Sequence, residues 1–256
     1  MSLQQINEAV PQGSVGVWWL GQAGFAFKTP AGKIVYVDPY LSDACERLHG
    51  FKRLSLPAIE ADAVRADLVV ITHEHTDHLD PDALPIIARN NPACRFAAPS
   101  GCDEGLAAAG IAAAARIRLE PHRRCEFDGV VVHAAPADHG DLSATALSVL
   151  FDFEGVRIVC TGDTAFRPQL LKPLCDPSPD LLLPCINGVF GNMSHIDAAM
   201  LACEVKPRYV VPCHYWTLAE QGGGDPAGFL YACRSLCPEV CSLVLRPGAR
   251  FICSKK

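Results

Sequence analysis

The sequence predicts an α/β protein in which two β-sheets carry helices on their outer faces. Short apolar runs, rich in β-branched and aromatic residues, recur along the whole chain between Gly- and Pro-punctuated turns. Helical segments are fewer and fall later. Many strands with interspersed helices call for two layers of sheet, each covered on its outer side. No linker or low-complexity stretch divides the chain, so residues 1–256 read as a single domain.

The first strands, 15–20 and 24–28, are joined by Gly21-Gln22-Ala23-Gly24 and read as an antiparallel hairpin. Pro30-Ala31-Gly32-Lys33 then turns the chain into strand 34–37. Strands 68–71, 95–98, 130–134, 146–153, 157–161, 181–183 and 209–211 follow, and 244–245 with 251–253 close the series. Asp80-Pro81-Asp82 offers an N-cap and a proline at the first helical position before helix 83–90. Helix 103–109 is alanine-rich and stops at Gly110. His195-Ile196-Asp197 opens helix 198–205, with His195 a candidate cap, and 226–236 is the last helix.

Composition narrows the class of function. Half the residues are apolar and a fifth charged, the balance of a soluble globular protein. No run approaches the ~20 apolar residues needed to span a bilayer. Residues 1–10 lack the layout of a signal peptide. The expectation is a cytoplasmic protein with no membrane partner. The net charge of −6 and the absence of a long Lys/Arg run argue against a nucleic-acid partner. The densest basic cluster, Arg116, Arg118, Arg123 and Arg124, reads as a solvated face. Thirteen cysteines, an odd number without a secretory signal, read as buried thiols and not as a disulfide framework. Cys233, Cys237 and Cys241 lack the two-residue knuckle of a structural zinc site.

Chemistry concentrates at His73-Glu74-His75-Thr76-Asp77-His78, which directly follows an apolar run. Residues two apart in an extended segment project to one side, so His73 and His75 can converge on one ion. Asp77 and His78, being adjacent, point differently and can serve a second. Further ligands must come from elsewhere. His139, Asp163 and His214 each follow an apolar strand at its C-terminal end, and Gly162 leaves room for close backbone approach there. If those strands are neighbours, the four segments meet along one sheet edge.

These segments, in this order, resemble the metallo-β-lactamase superfamily over nearly the whole chain. The resemblance implies a four-layer αββα sandwich with its metal site along the sheet edges. It also implies that His73, His75 and His139 hold one ion, that Asp77, His78 and His214 hold a second, and that Asp163 bridges them. Asp38, ending strand 34–37, matches the early Asp that supports the site from behind the ligands. Trp19-Leu20-Gly21-Gln22-Ala23-Gly24-Phe25, Ala137-Asp138-His139-Gly140-Asp141-Leu142, Ile186-Asn187-Gly188 and His214-Tyr215 are similar to the L-ascorbate-6-phosphate lactonase branch. Enzymes of that branch open a sugar-acid lactone, typically with manganese or zinc. The chain departs from them in being shorter and in carrying Val189-Phe190 after Asn187-Gly188.

The expected protein is therefore a metal-dependent hydrolase. Imidazole and carboxylate ligands suit one or two divalent ions, zinc or manganese ahead of iron. Two ions about 3.5–4 Å apart lower the pKa of a shared water from ~15.7 towards about 7, giving a metal-bound hydroxide. Asp77 is the candidate catalytic group that orients it or carries its proton. Asn187, Gly188, Tyr215 and Trp216 are the candidate substrate contacts. The substrate is expected to be a small molecule, a sugar-acid lactone or related small ester, with a small cyclic or lipid phosphodiester as the alternative. A homo-oligomer is left open. His49, His122 and His133 read as surface or satisfied core residues, and Gly222-Gly223-Gly224 as a flexible turn.

Overall fold

The computed structural model describes residues 4–219 and 222–255; Met1, Ser2 and Leu3, part of the N-terminal stretch read above, lie outside the described residues. Among the described residues, fourteen strands form two seven-stranded sheets. The first takes β1 (Ser14–Gly21), β2 (Gly24–Lys28), β3 (Ile34–Val37), β4 (Leu68–Val70), β5 (Arg95–Ala98) and β6 (Arg116–Arg118). The second takes β7 (Arg124–Phe127), β8 (Val130–Pro136), β9 (Leu147–Phe153), β10 (Val156–Cys160), β11 (Leu181–Leu183), β12 (Tyr209–Val210) and β13 (Cys241–Ser242), while β14 (Arg250–Ser254) returns to the first beside β1. β14, β1, β2 and β3 pair antiparallel and β3 to β6 parallel. In the second sheet β7 to β10 pair antiparallel and β10 to β13 parallel.

Alternation along each strand builds the layers. In β1, Val15, Val17 and Trp19 enter the core between the sheets, while Trp18 and Leu20 face the other way. β4 divides likewise, Leu68 and Val70 inward and Val69 outward. The outward set packs under Leu84 and Ile87 of the Ala83–Asn90 helix and Leu106 of Asp103–Ala108. Ala198, Leu201 and Phe229, from helices His195–Val205 and Pro226–Leu236, cover the second sheet. The result is the expected αββα sandwich.

The structure departs from the sequence reading in a few places. β6 and β7 were not expected; they are the outer edges of the two sheets, where a single pairing neighbour lets arginines alternate with apolar residues. There Arg118 pairs with Asp103, and Arg123 with Glu120 at 2.8 Å. Residues 244–245 form no strand, and Cys241–Ser242 pairs with β12 instead. His195 is not a cap: Ser194 accepts from the Asp197 amide and Asp197 reciprocates, a capping box. Gly222 and Gly224 lie against the 186–187 backbone, where a Cβ would come within 2.5 Å of the Asn187 carbonyl and 2.8 Å of that of Ile186. The cysteines are all free and nine are buried, and burial pushes the Cys45, Cys185 and Cys233 thiols up to about 12. Among the described residues no helix is long and apolar enough to cross a membrane.

Two details bring the sheet ends together. The Leu147 amide at the start of β9 bonds the Thr72 carbonyl just past β4, at 3.1 Å. Gly162, past β10 and at φ 59°, sits where a Cβ would lie 2.7 Å from the Leu147 carbonyl and 3.2 Å from Thr72. Asp80 fixes the approach to the Ala83–Asn90 helix. Asp82 holds the cap position but its side chain caps no helix amide, and the fully buried Asp80 carboxylate accepts from the amides of Leu41, Ser42, Asp82 and Ala83 and from Ser42 Oγ. Stranding several of these donors costs about 1–3 kcal/mol each. Asp80→Ala is expected to lower the unfolding free energy by at least about 3 kcal/mol in urea titrations; a loss under about 1 kcal/mol would show that water takes over these bonds.

Candidate metal centre

The centre begins with Asp38, which leaves β3 in the left-handed region at φ 45°, a conformation Asp tolerates better than most residues. Its carboxylate is 1 % exposed. Oδ1 accepts from the Thr72 amide at 2.8 Å, and Oδ2 accepts from Thr72 Oγ1 at 2.6 Å and meets His78 Nδ1 at 2.8 Å. One residue thereby fixes the first turn after β4 and aims His78 Nε2 away from itself.

Two groups of donors stand beside each other. His73, His75 and His139 form one, and Asp77, His78 and His214 the other; Asp163 lies with His73 and His78 between them. In the first, His75 Nδ1 is 2.9 Å from His73 Nε2 and 3.3 Å from His139 Nε2. In the second, His214 Nε2 is 3.3 Å from Asp77 Oδ2 and 3.2 Å from Asp163 Oδ1. Asp163 spans both, with Oδ1 3.3 Å from His78 Nε2 and Oδ2 3.9 Å from His139 Nε2. His78 Nε2 and Asp163 Oδ1 are close, yet neither has an aligned hydrogen-bond partner. Buried polar atoms so rarely stay unpaired that their aim at a common point fits a cation. Imidazole nitrogens and carboxylate oxygens are the donors such an ion takes.

The segments do not meet along one sheet edge, as the sequence reading had it. His73 to His78 leave the first sheet, whereas His139, Asp163 and His214 leave β8, β10 and β12 of the second, and the donors face each other across the join. The outward ring nitrogens are held in part. His75 Nε2 meets the Leu142 carbonyl at 3.1 Å, and His73 Nδ1 meets Thr72 Oγ1 at 3.1 Å. The first contact leaves the His75 Nδ1 lone pair facing inward.

Charge at the centre is distributed unevenly. Burial keeps His73 and His139 below the ordinary imidazole range. Burial would lower His78 as well, but the carboxylates of Asp163, Asp77 and Asp38 hold it well above. Against the same burial, Asp163 and Asp77 raise His214 to about 9. The two imidazoles in turn overcome burial at Asp77 and Asp163 and hold both carboxyls well below the carboxylate range. Protons on His78 and His214 thus balance two buried anions.

Two amides that the sequence reading did not single out complete the support. Gln22, in the β1–β2 turn at φ 50°, donates from Nε2 to Asp77 Oδ2 at 2.7 Å, and its carbonyl accepts from the His214 amide at 2.8 Å. Asn192 Nδ2 donates to Asp163 Oδ2 at 2.7 Å. Gln22 stood in the β1–β2 turn and in a lactonase-like segment without a role of its own, and nothing local marks Asn192. Glu74, between two donors, accepts from Ser143 Oγ at 2.8 Å and ties down the loop after His139.

A cavity of about 280 Å³ opens on the donors, lined by His75, Asp77, His139, Asp163 and His214 and walled by Cys45, His49, Phe51, Glu74, Thr76, Leu142 and Phe190. Among the expected substrate contacts, Asn187, Gly188, Tyr215 and Trp216 do not line it. Asn187 is buried with its amide unpartnered, and Tyr215 stacks on Trp19 at 4.8 Å. Tyr215 and Trp216 line a separate groove beside Pro226 and Pro247. His49, read as a bland surface residue, stands at the cavity with Nε2 2.8 Å from Thr76 Oγ1.

A family model for the beta-lactamase superfamily domain matches residues 33–215, a span reaching from before Asp38 to just past His214. A UPF0173 metal-dependent hydrolase from Polynucleobacter asymbioticus is 31% identical over 231 residues, 83% of this chain and 78% of its own. Another, from Thermococcus onnurineus, is 31% identical over 227 residues, 79% of this chain and 85% of its own. Among solved structures, the metallo hydrolase Igni18 of Ignicoccus hospitalis superposes with a TM-score of 0.73 at 24% identity, covering 95% of this chain and 100% of that one. The isothiocyanate hydrolase from Delia radicum gut bacteria does so with a TM-score of 0.75 at 19% identity, covering 94% and 100%. Fold and donor set together define a metallo-β-lactamase superfamily protein. Within that superfamily the chain belongs to the UPF0173 metal-dependent hydrolases.

An imidazole must be neutral to ligate a metal, so uptake has to expel the protons on His78 and His214. Zinc titrated into metal-free protein at pH 7.5 is expected to release more than one proton, read from calorimetric heats in buffers of different ionisation enthalpy. His214, raised from 6.5 to about 9, stabilises the metal-free fold fully below 6.5, and that contribution is lost as pH rises through about 9. Metal-free stability should therefore fall across this window while zinc affinity rises; heats independent of buffer would remove the protonated pair from the account.

Proposed function

We propose that this centre hydrolyses a lactone or a related small ester with two divalent cations, zinc or manganese. His73, His75 and His139 would hold one, Asp77, His78 and His214 the other, and Asp163 would bridge. The observation that carries the reading is the pair of donor groups sharing Asp163, two of whose facing atoms have no aligned partner. Bound there, such ions make a water acidic and polarise the carbonyl that the water attacks.

The chain's own residues set up the rest. Asp38 and Thr72 hold His78 to one ring orientation, and Leu142 does the same for His75. Gln22 holds Asp77 by one oxygen, so this ionised carboxylate is the group placed to orient the water. Asn192 keeps Asp163 aligned between the donor groups. The likeness to the lactonase branch supports an acyl carbon over phosphorus as the reacting centre.

Protein reconstituted with manganese or zinc is expected to open simple lactones and to be inert towards bis(p-nitrophenyl) phosphate. His75→Ala should abolish turnover. Asp38→Asn should weaken metal affinity by about 10–100-fold, the usual effect of losing a partner behind a ligand, as read by competition with a chromophoric chelator. Preferred cleavage of the phosphodiester, or an inert lactone panel with both metals, would overturn the proposal.

A further inference from the structure

The cavity over the donors is chemically two-sided. Among the described residues, the charged side chains lining it, apart from the histidines, are the carboxylates of Glu74, Asp77 and Asp163, and no Lys or Arg lines it. Two arginines near this end are engaged elsewhere. Arg53, two residues past Phe51, lies 4.4 Å over the Tyr40 ring and donates to the carbonyls of Ser42 and Tyr40. Arg167 pairs with Asp138 at 2.8 Å. Among the described residues, a substrate phosphate or carboxylate in the outer cavity would find no Lys or Arg and no bidentate partner.

The other side is apolar. Phe51 and Phe190 meet edge to face with ring centroids 6.2 Å apart, and Leu142 and Cys45 continue the wall. Phe190 is 46 % exposed and held at φ 54°, so the chain accepts both a strained backbone and a bared ring to keep it there. Neither jaw hangs on a free loop. Asn192, two residues past Phe190, is bonded to Asp163. The strand-like contact of Lys52 and Leu54 with Ala219 and Thr217 ties Phe51 to the segment carrying His214. At about 30 Å³ per water, a volume of 280 Å³ holds on the order of ten non-hydrogen atoms.

We infer that the substrate is a small uncharged acyl compound whose apolar substituent lies against the wall formed by Phe51 and Phe190, and that these two rings set its specificity. The inference rests on the hydrolase reading above and narrows it away from phosphorylated and polyhydroxylated sugar lactones. For a lactone, the water oxygen bonds to the acyl carbon, the acyl–oxygen ring bond breaks, and the proton passes to the released oxygen, giving a hydroxy acid. No other reactant is consumed.

The test compares γ-butyrolactone with γ-octalactone, which has ten non-hydrogen atoms, and with glucono-δ-lactone and its 6-phosphate, on the metal-reconstituted enzyme. Each buried methylene is worth roughly fourfold, and a half-open cavity captures part of that. The kcat/KM ratio of γ-octalactone to γ-butyrolactone is expected to be about tenfold or more, with both sugar lactones well below γ-octalactone. Phe190→Ala and Phe51→Ala should each bring that ratio below about threefold. A ratio taken within one preparation does not depend on its active fraction, so partial misfolding cannot mimic the result. A flat series, a better sugar or phosphorylated lactone, or an unchanged ratio in both variants would overturn the inference. If no lactone turns over, the hydrolase reading fails, and calorimetric binding of 5-butylpyrrolidin-2-one against pyrrolidin-2-one decides the apolar site separately. Tighter binding of the butyl compound by about tenfold upholds the site, and equal binding ends it.

Discussion

The carboxylate of Asp38 is the fixed point from which the metal centre is built. It is buried between two parallel strands of the first sheet and satisfied by three contacts, two from Thr72 and one from His78. A buried anion with fewer partners would carry a heavy desolvation cost. The arrangement that satisfies it also sets the start of the donor run, because Thr72 precedes His73 and its carbonyl receives the Leu147 amide of the other sheet. One buried group thus couples the register of β3 and β4, the approach of the second sheet and the direction of a donor ring.

Beyond that point the centre is assembled from groups that oppose one another. Asp77 and Asp163 are buried within hydrogen-bond range of the same histidine, an arrangement that repels unless positive charge lies between. Protons on His78 and His214 supply it in the metal-free chain, and divalent ions do so more strongly. The same fold can therefore be stable without metal and still favour metal uptake. Gln22 and Asn192 add neutral donors to these carboxylates, fixing geometry without adding charge.

The donors were legible in the sequence because their signal is local: a histidine-rich run after an apolar strand, then single His or Asp residues at later strand ends. The strands were legible wherever burial imposes an apolar pattern, and they failed to show at β6, β7 and β13, whose edge positions relax it. Gln22 and Asn192 left no such mark, since a turn glutamine and a loop asparagine are ordinary until the fold puts them 2.7 Å from a carboxylate. The expected substrate contacts lay beside a donor or within a family-like segment, but neighbours in a loop need not share a face. Tyr215, next to His214, turns to Trp19 in the core. The residues that do wall the cavity, Phe51 and Phe190, come from loops 139 residues apart in sequence, whose meeting only the tertiary structure reveals.

That wall is tied to the centre by the very bonds that hold the donors. Phe190 and Asn192 share one tight turn, so displacing the ring pulls on the amide that aligns Asp163. Phe51 and His214 are linked through the bridged 52–54 and 217–219 segments, so the outer jaw is hydrogen-bonded to the segment that carries a donor. Selectivity built into the frame of a metal centre has a physical consequence. A substrate group that spreads the rings would strain the donor geometry, whereas one that lies along their wall would leave it undisturbed. On the proposal made above, discrimination by the aromatic pair would act on the reacting geometry as well as on binding, and a variant that enlarges the cavity should alter kcat along with KM.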